Sequence, residues 1–194
     1  MKYPTGMDPS RAGVADLCDF FFGNGDDHTS KDSDIQVMCP GLQDYGGVEE
    51  FSGQAVTIKC YESNPLVRKT LNENGEGKIL VIDGGASMKC ALIGDLLSEL
   101  AVQRGWSGII VNGCVRDTSQ IGGMDVGIKA LAAMPLKPGK RDMGKLNVPV
   151  NVCGVIIRPG DWIYADTDGV IVSPTELKLP EGGSTEKTPL TIPE

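Results

Sequence analysis

The hydrophobic pattern of the chain changes period several times, and each change predicts a new element. Apolar residues recur three and four positions apart in three segments, which predicts helices over residues 8–21, 64–75 and 94–105. Residues at the ends of these segments support the prediction. Ser10 is a candidate N-cap, Asn64-Pro65 is a typical helix start, and Gly105 is a typical residue just beyond a helix end.

Short runs rich in β-branched residues alternate with these helices and predict strands at 53–62, 78–85 and 108–115. We expect the second strand to be halted by Asp83-Gly84-Gly85. Strand, helix and strand then follow one another between residues 78 and 115, which predicts a parallel βαβ crossover. The segment 125–134 is ambiguous, because its Ala and Leu residues favour a helix while its flanking turns allow a strand.

The C-terminal part of the chain has a different pattern. Residues 148–174 are β-branched stretches cut by the turns Pro159-Gly160-Asp161 and Thr167-Asp168-Gly169, which predicts a β-meander. The chain therefore predicts an α/β domain with a parallel βαβ core and a C-terminal β-meander. Residues 179–194 cannot build a core, so we expect a domain over 1–178 and a disordered tail over 179–194.

Composition excludes several classes of function. A net charge of −8 leaves no basic surplus to displace counterions, which argues against direct nucleic-acid binding. No apolar run approaches the roughly 18 residues that a membrane span needs. The six cysteines form no C-x-x-C pair, and several lie in apolar runs, so we expect reduced, buried thiols in a cytoplasmic, reducing compartment. The single histidine, His28, lies in a polar stretch, and zinc binding is not expected.

Chemistry-bearing residues converge at one predicted edge of the sheet, because ligands gather at the carboxyl ends of parallel strands. Asp83-Gly84-Gly85 ends one strand, and Arg116-Asp117 ends its neighbour. The residues Gly94, Asp95, Leu96 and Leu97 open a helix whose free N–H groups suit a carboxylate. Arginine can grip a carboxylate or keto oxygen, and aspartate can hold a divalent cation. Together they suit a small keto acid bound to a metal.

Ordinary structural roles also fit each of these features. An Arg-Asp pair at a strand end is more often a loop salt bridge or a turn, and Gly-Asp at a helix start is usually only a cap. The stretch "DTDG" at 166–169 lacks the other ligands of a calcium loop and is interpreted as a turn. Spacing alone leaves these alternatives open.

A family resemblance bears on the choice. In "GDLLSELAVQRGWSGIIVNGCVRD", residues 94–117, a Gly-Asp pair and an Arg-Asp pair are separated by twenty residues. The stretch resembles the signature of the RraA-like family, which contains regulator of ribonuclease activity A and the class II 4-hydroxy-4-methyl-2-oxoglutarate aldolases. The similarity spans about residues 16–175 and includes "LCDFF", "FSGQAVTIKCYESN", "ILVIDGGASMKCALIGD", "VGIKALAAMP", "VPVNVCGV" and "PGDWIYADTDGVIVSP".

The resemblance implies a swivelling β/β/α-type fold and a ring-shaped homotrimer, or a multiple of it, with active sites between subunits. It implies a metal-dependent carbon–carbon lyase on pyruvate-type 2-oxo acids, acting as an oxaloacetate decarboxylase or a 4-hydroxy-4-methyl-2-oxoglutarate aldolase. Asp117 would anchor Mg²⁺ or Mn²⁺, largely through ordered waters. Arg116 would hold the substrate oxygen and stabilise the developing charge. Backbone N–H groups of Gly94, Asp95, Leu96 and Leu97 would hold the carboxylate.

The same resemblance supports a rival function, a non-enzymatic inhibitor that binds an endoribonuclease or an associated RNA helicase. The "LCD" opening and the "CYESN" segment resemble the regulators, and three copies of a −8 chain would attract a basic partner segment. The longer aldolases carry extra C-terminal structure that supplies acidic groups near a neighbour's site, whereas this chain has only its Pro/Gly tail. Decarboxylation, which needs no base to remove a hydroxyl proton, is the favoured reaction.

Overall fold

The computed structural model describes residues 13–23, 34–141 and 143–178. Its helices are α1 (Val14–Phe21), α2 (Pro65–Leu71), α3 (Asp95–Gln103) and α4 (Thr118–Ile121). None of the helices in this described part is long and apolar enough to cross a membrane. The loop around His28 and the tail 179–194 lie outside the described residues, so those predictions remain predictions. Ser10 also lies outside them, but α1 begins at Val14 with Gly13 as its N-cap, so the predicted helix start near Ser10 is wrong.

Most of the strands in the described residues belong to one mixed sheet. The strands are β1 (Gln36–Val37), β2 (Gln43–Asp44), β3 (Phe51–Lys59), β4 (Lys78–Ile93), β5 (Gly108–Val115), β6 (Gly127–Ala133), β7 (Lys145–Leu146), β8 (Val150–Val152), β9 (Val155–Ile157), β10 (Trp162–Ala165) and β11 (Val170–Ser173). The main sheet has the order β1-β11-β10-β3-β4-β5-β6-β2, and β7 pairs with β3. Strands β3 to β6 are parallel to one another, and the outer pairs are antiparallel.

The sheet is curled, as its connections require. Strands β1 and β2 lie at opposite ends of the eight-strand order, yet only residues 38–42 join them. Six peptide steps span at most about 22 Å. Eight strands laid flat would separate the two edge strands by about 34 Å. The sheet must therefore bend until its edges approach each other, and the connecting segment, which we call the strap, crosses the gap.

Each face of the curled sheet buries its own core. The period-two alternation of β4 sends Ile79 and Val81 to the inner face, where they pack with apolar side chains of the antiparallel hairpin β8–β9. Leu80 and Ile82 point to the outer face and pack against helices α2 and α3. The layers are thus hairpin, sheet and helices, which confirms the predicted mixed α/β single domain.

Several predicted elements are confirmed and one ambiguity is resolved. Strands β4 and β5 are parallel and joined by α3, which is the predicted βαβ crossover. The ambiguous segment 125–134 is strand β6, parallel to β5. The C-terminal β-rich stretch is antiparallel as expected, but it divides into two hairpins. One, β8–β9, covers the inner face, and the other, β10–β11, extends the main sheet.

Two further predicted boundaries were wrong, the end of the strand at 78–85 and the end of the helix at 64–75. The strand at 78–85 does not stop at its Asp-Gly-Gly, because Gly85 and Ala86, with φ of +66° and +53°, form a bulge and β4 then continues to Ile93. Helix α2 ends at Leu71, well before Gly75. A Cβ at position 75 would lie 2.2 Å from Cγ of Trp106, so packing of the indole requires this glycine.

Candidate active site

The Arg116-Asp117 pair lies where β5 ends and α4 begins. Arg116 follows the last residue of β5, and its N–H donates to the carbonyl of Ile93 at the end of β4. Asp117 has φ 57° and ψ 38°, the left-handed conformation that aspartate and asparagine tolerate better than most residues. This sharp change of direction turns both side chains toward the start of α3.

The two charged side chains contact each other. Nε of Arg116 lies 3.0 Å from Oδ2 of Asp117, and the side chains are 25% and 29% exposed. Arg116 and Asp117 therefore form a salt bridge, which is one of the ordinary structural roles expected for the pair. Pairing does not exclude a ligand, because Arg116 has further guanidinium donors and Asp117 a second carboxylate oxygen.

The ion pair packs directly against the backbone of Gly94. A Cβ built at position 94 would lie 2.7 Å from Oδ2 of Asp117 and 3.0 Å from Cγ of Arg116. The backbone of Gly94, at φ −146° and ψ −173°, is extended and open to any residue. The lack of a side chain at position 94 thus allows the close approach of Arg116 and Asp117. Sequence analysis assigned Gly94 only an N–H contact to substrate and missed this steric role.

The N–H groups at the start of α3 are not free, which corrects part of the predicted site. The N–H of Asp95 points to Oδ2 of Asp117 at 3.4 Å, and the N–H of Leu96 donates to Oδ1 of Asp95 at 2.7 Å. The N–H of Leu97 donates to the carbonyl of Gly94 at 3.1 Å. A substrate carboxylate could reach the Leu96 N–H only if the Asp95 side chain rotated away.

The segment after β6 forms the other wall beside Arg116. Nη1 of Arg116 lies 3.5 Å from the carbonyl oxygen of Pro135, and the carbonyl of Leu136 accepts from the N–H of Ala91. Leu136 and Leu96 expose 59% and 63% of their surface. The ion pair therefore lies among exposed apolar side chains. No sequence pattern predicts the Pro135 contact, because it depends on how β6 ends.

The third predicted feature, Asp83-Gly84-Gly85, is not part of this arrangement. Asp83 is only 5% exposed, and its Oδ1 accepts from the N–H of Gly85 at 2.9 Å and from Nδ2 of Asn112 at 3.1 Å. Nζ of Lys59 lies 3.8 Å from Oδ2 of Asp83. These contacts describe a buried carboxylate that holds the bulge of β4 against β5.

The donor set limits which metal the site could hold. Within the residues described, no group of three or more His, Cys, Asp or Glu side chains is arranged to bind a metal ion. Such a set does not suit a closed zinc site. It does suit Mg²⁺ or a similar hard cation, which keeps several waters and uses one or two carboxylates together with oxygens of the substrate. Asp117 is the residue present that could hold it.

Comparison with known proteins places the chain. The RraA-like family profile, described as Aldolase/RraA, matches residues 14–172. A protein from Pseudomonas entomophila named "Putative 4-hydroxy-4-methyl-2-oxoglutarate aldolase" is 50% identical over 147 residues, covering 76% of this chain and 90% of that protein. A protein of the same name from Azotobacter vinelandii is also 50% identical over 147 residues, covering 76% of this chain and 91% of that protein.

Solved structures agree with the sequence comparison. The RNA-processing inhibitor RraA from Thermus thermophilus superimposes with a TM-score of 0.80 at 35% identity, covering 89% of this chain and 99% of that chain. A Geobacillus kaustophilus protein described as S-adenosylmethionine: 2-dimethylmenaquinone methyltransferase gives a TM-score of 0.78 at 38% identity, covering 86% of this chain and 97% of that chain. The chain belongs to the RraA-like family.

Proposed function

We propose that the chain is a divalent-metal-dependent lyase that cleaves a carbon–carbon bond in pyruvate-type 2-oxo acids. One observation carries the proposal: the Arg116–Asp117 pair, held against Gly94 at the start of α3. A cation-binding carboxylate next to a guanidinium suits a reaction in which negative charge develops on a keto oxygen. The names of the relatives at 50% identity support the same reaction class.

Arg116 is the residue that stabilises the developing charge. Its Nε is occupied by Asp117, so the Nη atoms are the donors assigned to the substrate oxygen. Nη1 makes only a long contact, 3.5 Å, with the Pro135 carbonyl, and exchanging it for a charged substrate oxygen costs little. Asp117 fixes the guanidinium plane from the other side. The ion pair thus orients Arg116 before substrate arrives.

Asp117 performs a second task at its other oxygen. Because Oδ2 faces Arg116 and the Asp95 N–H, Asp117 would hold a cation such as Mg²⁺ or Mn²⁺ through its remaining oxygen, Oδ1. When bound, the cation supplies Lewis-acid polarisation of the 2-keto oxygen. Without substrate, the Asp95 carboxylate accepts the hydrogen bond from the Leu96 N–H that is assigned to the substrate carboxylate. The Asp95 side chain rotates away when substrate binds.

Oxaloacetate decarboxylation is the reaction that these residues support best. The bond to the departing carboxylate breaks, its carbon leaves as CO₂, and the electron pair passes to the keto oxygen as an enolate that Arg116 stabilises. Solvent then protonates the enolate to pyruvate. Retro-aldol cleavage of 4-hydroxy-4-methyl-2-oxoglutarate leaves the same enolate but also needs a base for the 4-hydroxyl proton. No residue of the site described above is assigned that role.

The test is a lactate-dehydrogenase-coupled assay for pyruvate with both substrates, in Mg²⁺ and in EDTA. A no-enzyme reaction in Mg²⁺ measures the metal's own decarboxylation of oxaloacetate. We expect turnover above that background that EDTA abolishes and Mg²⁺ restores. Arg104→Lys and Glu99→Ala, exposed residues of the α3 region, serve as matched controls for changes at Arg116 and Asp117. No turnover above background with either substrate would refute the lyase.

A regulatory function is the second candidate, supported by the 35% identity to the RNA-processing inhibitor from Thermus thermophilus. The partner would be an endoribonuclease or an RNA helicase with a basic segment, which the net charge of −8 would attract. Titrating the chain into a ribonuclease E-type cleavage assay tests this. Dose-dependent inhibition that survives Asp117→Ala would separate regulation from the lyase site.

We also propose a homotrimer, or a multiple of it, with the candidate site at a subunit boundary. Three apolar residues expose more than half of their surface: Leu96, two residues after Gly94, Leu136, which follows Pro135, and Met88 in β4. Exposed apolar side chains next to a site favour coverage by another subunit. Light scattering at micromolar concentration should give three times 20.5 kDa or a multiple of that mass. A monomer mass would contradict the proposed assembly.

A cytoplasmic location is likewise proposed from the cysteine usage of the sequence.

A further inference from the structure

Two cysteines from distant parts of the chain meet where the strap crosses the inner hairpin. Cys39 belongs to the strap, residues 38–42, and is exposed. Cys153 belongs to the turn between β8 and β9 and is half-buried. Sequence analysis expected buried thiols, which is correct for Cys60, Cys90 and Cys114 but wrong for Cys39. The strap has to be solvated where it bridges the open side of the curled sheet.

The contacts between these segments bring the two thiols together. The N–H of Cys39 donates to the carbonyl of Cys153 at 2.9 Å. Sγ of Cys39 lies 3.1 Å from the position that a Cβ of Gly154 would take, and Sγ of Cys153 lies 4.0 Å from the corresponding position at Gly41. Each sulfur therefore lies near a glycine that is one or two residues from the other cysteine.

This geometry is compatible with a disulfide. One N–H···O=C bond of this length, combined with standard backbone bond lengths, limits the separation of the two α-carbons to about 6 Å. A disulfide needs a Cα–Cα separation of about 4.4–6.8 Å. Formation of the bond would therefore require side-chain rotation with little movement of the strap or the hairpin.

The backbone conformation of Cys153 is a second, independent observation that favours a bond to Cys39. The β8–β9 loop has two residues, Cys153 and Gly154, with φ of +46° and +82°. Such a turn favours asparagine, aspartate or glycine at both positions, and a cysteine there is strained. Nothing in the chemistry of the turn explains a cysteine at its first position, whereas a bond to Cys39 would.

We propose that Cys39 and Cys153 form a reversible disulfide that fastens the strap to the inner hairpin. The oxidant is a low-molecular-weight disulfide such as glutathione disulfide. The Cys39 thiolate attacks one of its sulfurs and releases one glutathione thiolate. The Cys153 thiolate then attacks the Cys39 sulfur and releases the second. The protein loses two electrons and two protons, and the oxidant becomes two thiols.

The order of these steps follows from exposure. Cys39 is open to solvent and can meet the oxidant. Burial, and next the neighbouring Cys39, raises the pKa of the Cys153 thiol above its ordinary value, so Cys153 is the weaker first attacker. Cys153 therefore acts as the resolving thiol, to which the mixed disulfide on Cys39 is presented at short range.

The experiment exposes the folded protein to mixtures of reduced and oxidised glutathione, quenches with acid, and alkylates the remaining thiols under denaturing conditions. We expect two of the six thiols to disappear together as the oxidised fraction rises, and reductant to restore them. Peptide mapping without reduction should recover the Cys39 and Cys153 peptides joined. Six free thiols in full oxidant, a lasting glutathione adduct on Cys39, or linkage of other cysteines would each overturn the proposal.

Thermal unfolding provides a second readout that does not depend on chemical trapping. The bond would close the chain between residues 39 and 153, so the oxidised protein should unfold about 5 °C or more above the reduced one. Cys39→Ser should abolish that difference, and so should Cys153→Ser. Cys18→Ser, a half-buried thiol on α1, should keep it. An oxidation-dependent rise in Tm that persists in Cys39→Ser would contradict the assignment.

Discussion

Asp83 and Asp117 arise from similar sequences and have opposite roles in the structure. Each follows an apolar strand pattern of the same βαβ unit, and sequence analysis placed both at one edge of the sheet. Asp83 is 5% exposed and holds Asn112 and the N–H of Gly85. The side chain of Asp117 is 29% exposed and contacts a charged partner at the surface. Asp83 thus stabilises the strand that contains it, whereas Asp117 is accessible to a ligand.

The difference depends on whether the strand continues. Strand β4 passes through its glycines and goes on to Ile93, so Asp83 lies within the sheet and its carboxylate must be satisfied by the protein. Strand β5 ends at Val115, and the left-handed backbone of Asp117 turns the chain into α4. In this chain, therefore, a carboxylate after an apolar run stays accessible to a ligand where the strand ends and becomes buried where the strand continues.

The largest expected effect is on activity, at Asp117. Asp117→Asn keeps the shape and tolerates the left-handed backbone, so it removes the charge with little cost in stability. We expect metal-dependent decarboxylation to fall by at least about 100-fold, because the cation loses its anchor and Arg116 its partner. The measurement is kcat/KM for oxaloacetate at saturating Mg²⁺, with thermal unfolding as the folding control.

Asp117→Ala separates the two roles of this residue further. It should lose the same activity and also about 1 kcal/mol of stability, because alanine is strained at positive φ. Glu99→Ala, on the exposed side of α3, should change neither quantity. Wild-type Mg²⁺-dependent turnover in either Asp117 variant would show that the metal assignment is wrong.

Arg116→Lys tests whether the ion pair is merely structural. Lysine keeps the charge but cannot contact Asp117 and a substrate oxygen through one rigid plane. If the pair only stabilises a loop, activity should stay near the wild-type value. The proposed function predicts a loss of about 2–4 kcal/mol of transition-state stabilisation, measured as kcat/KM. Arg104→Lys, at an exposed arginine bonded to Asn72, is the matched control.

Substitution of Asp83 should have the opposite effect to substitution of Asp117: the free energy of unfolding should fall while catalytic turnover is retained. Asp83→Ala leaves the Gly85 N–H without its acceptor and the Asn112 amide with only the Asn151 carbonyl, which should cost about 1–3 kcal/mol in urea unfolding. Asp83→Asn keeps an acceptor oxygen and should cost less. Both variants, while folded, should retain turnover. A variant that folds as stably as wild type but has lost turnover would place Asp83 in the active site after all.

Gly94→Ala should have a smaller effect on the site itself. The added methyl group would meet Oδ2 of Asp117 and the side chain of Arg116, both of which can shift slightly. We expect about a tenfold loss in kcat/KM from the displaced guanidinium, since small misplacements in an active site are costly. Stability should be little changed, because the backbone conformation of Gly94 accepts alanine. A normal KM for Mg²⁺ together with the lowered kcat/KM would locate the effect at Arg116.

Much of the fold was predictable because it depends on local patterns. The βαβ unit has helical periodicity between two apolar runs, with Gly105 at the helix end, and β5 was predicted with its observed limits. The curl of the sheet was not predictable from periodicity, since it depends on which strands pair at the two edges. The bulge at Gly85 was also missed, because Asp-Gly-Gly more often ends a strand than continues it.

The site was predictable in its residue types and not in its contacts. The spacing of Gly94-Asp95 and Arg116-Asp117 could be read from the sequence, and the structure brings these residues together. The contact of Asp117 with Arg116, and the occupation of the Leu96 N–H by Asp95, depend on side-chain rotamers that no pattern encodes. The sequence therefore predicted which residues lie together, and the geometry determined which of their donors are available.

The smallest expected effect follows from Cys60, which lies beside Asp83. Burial first, and the charge of Asp83 second, raise the pKa of the Cys60 thiol from 9.0 to about 12. The thiol ionises in the unfolded chain above pH 9 but stays neutral in the folded one until about pH 12. Its stabilisation is therefore complete below pH 9 and is lost as the pH rises from 9 toward 12.

Urea unfolding from pH 8 to pH 10 should reveal this loss, which amounts to about 1 kcal/mol at pH 10 for a single such thiol. Cys60→Ala should make the pH dependence shallower by that amount. Asp83→Asn should make it shallower by a smaller amount, because it removes only the second cause of the shift. The slopes are compared, and not the absolute stabilities, since alanine also removes packing. If stability falls with pH equally steeply in wild type and in Cys60→Ala, the Cys60 thiol has the same pKa in the folded and unfolded chains. The region around Cys60 and Asp83 would then be open to water, contrary to the burial described above.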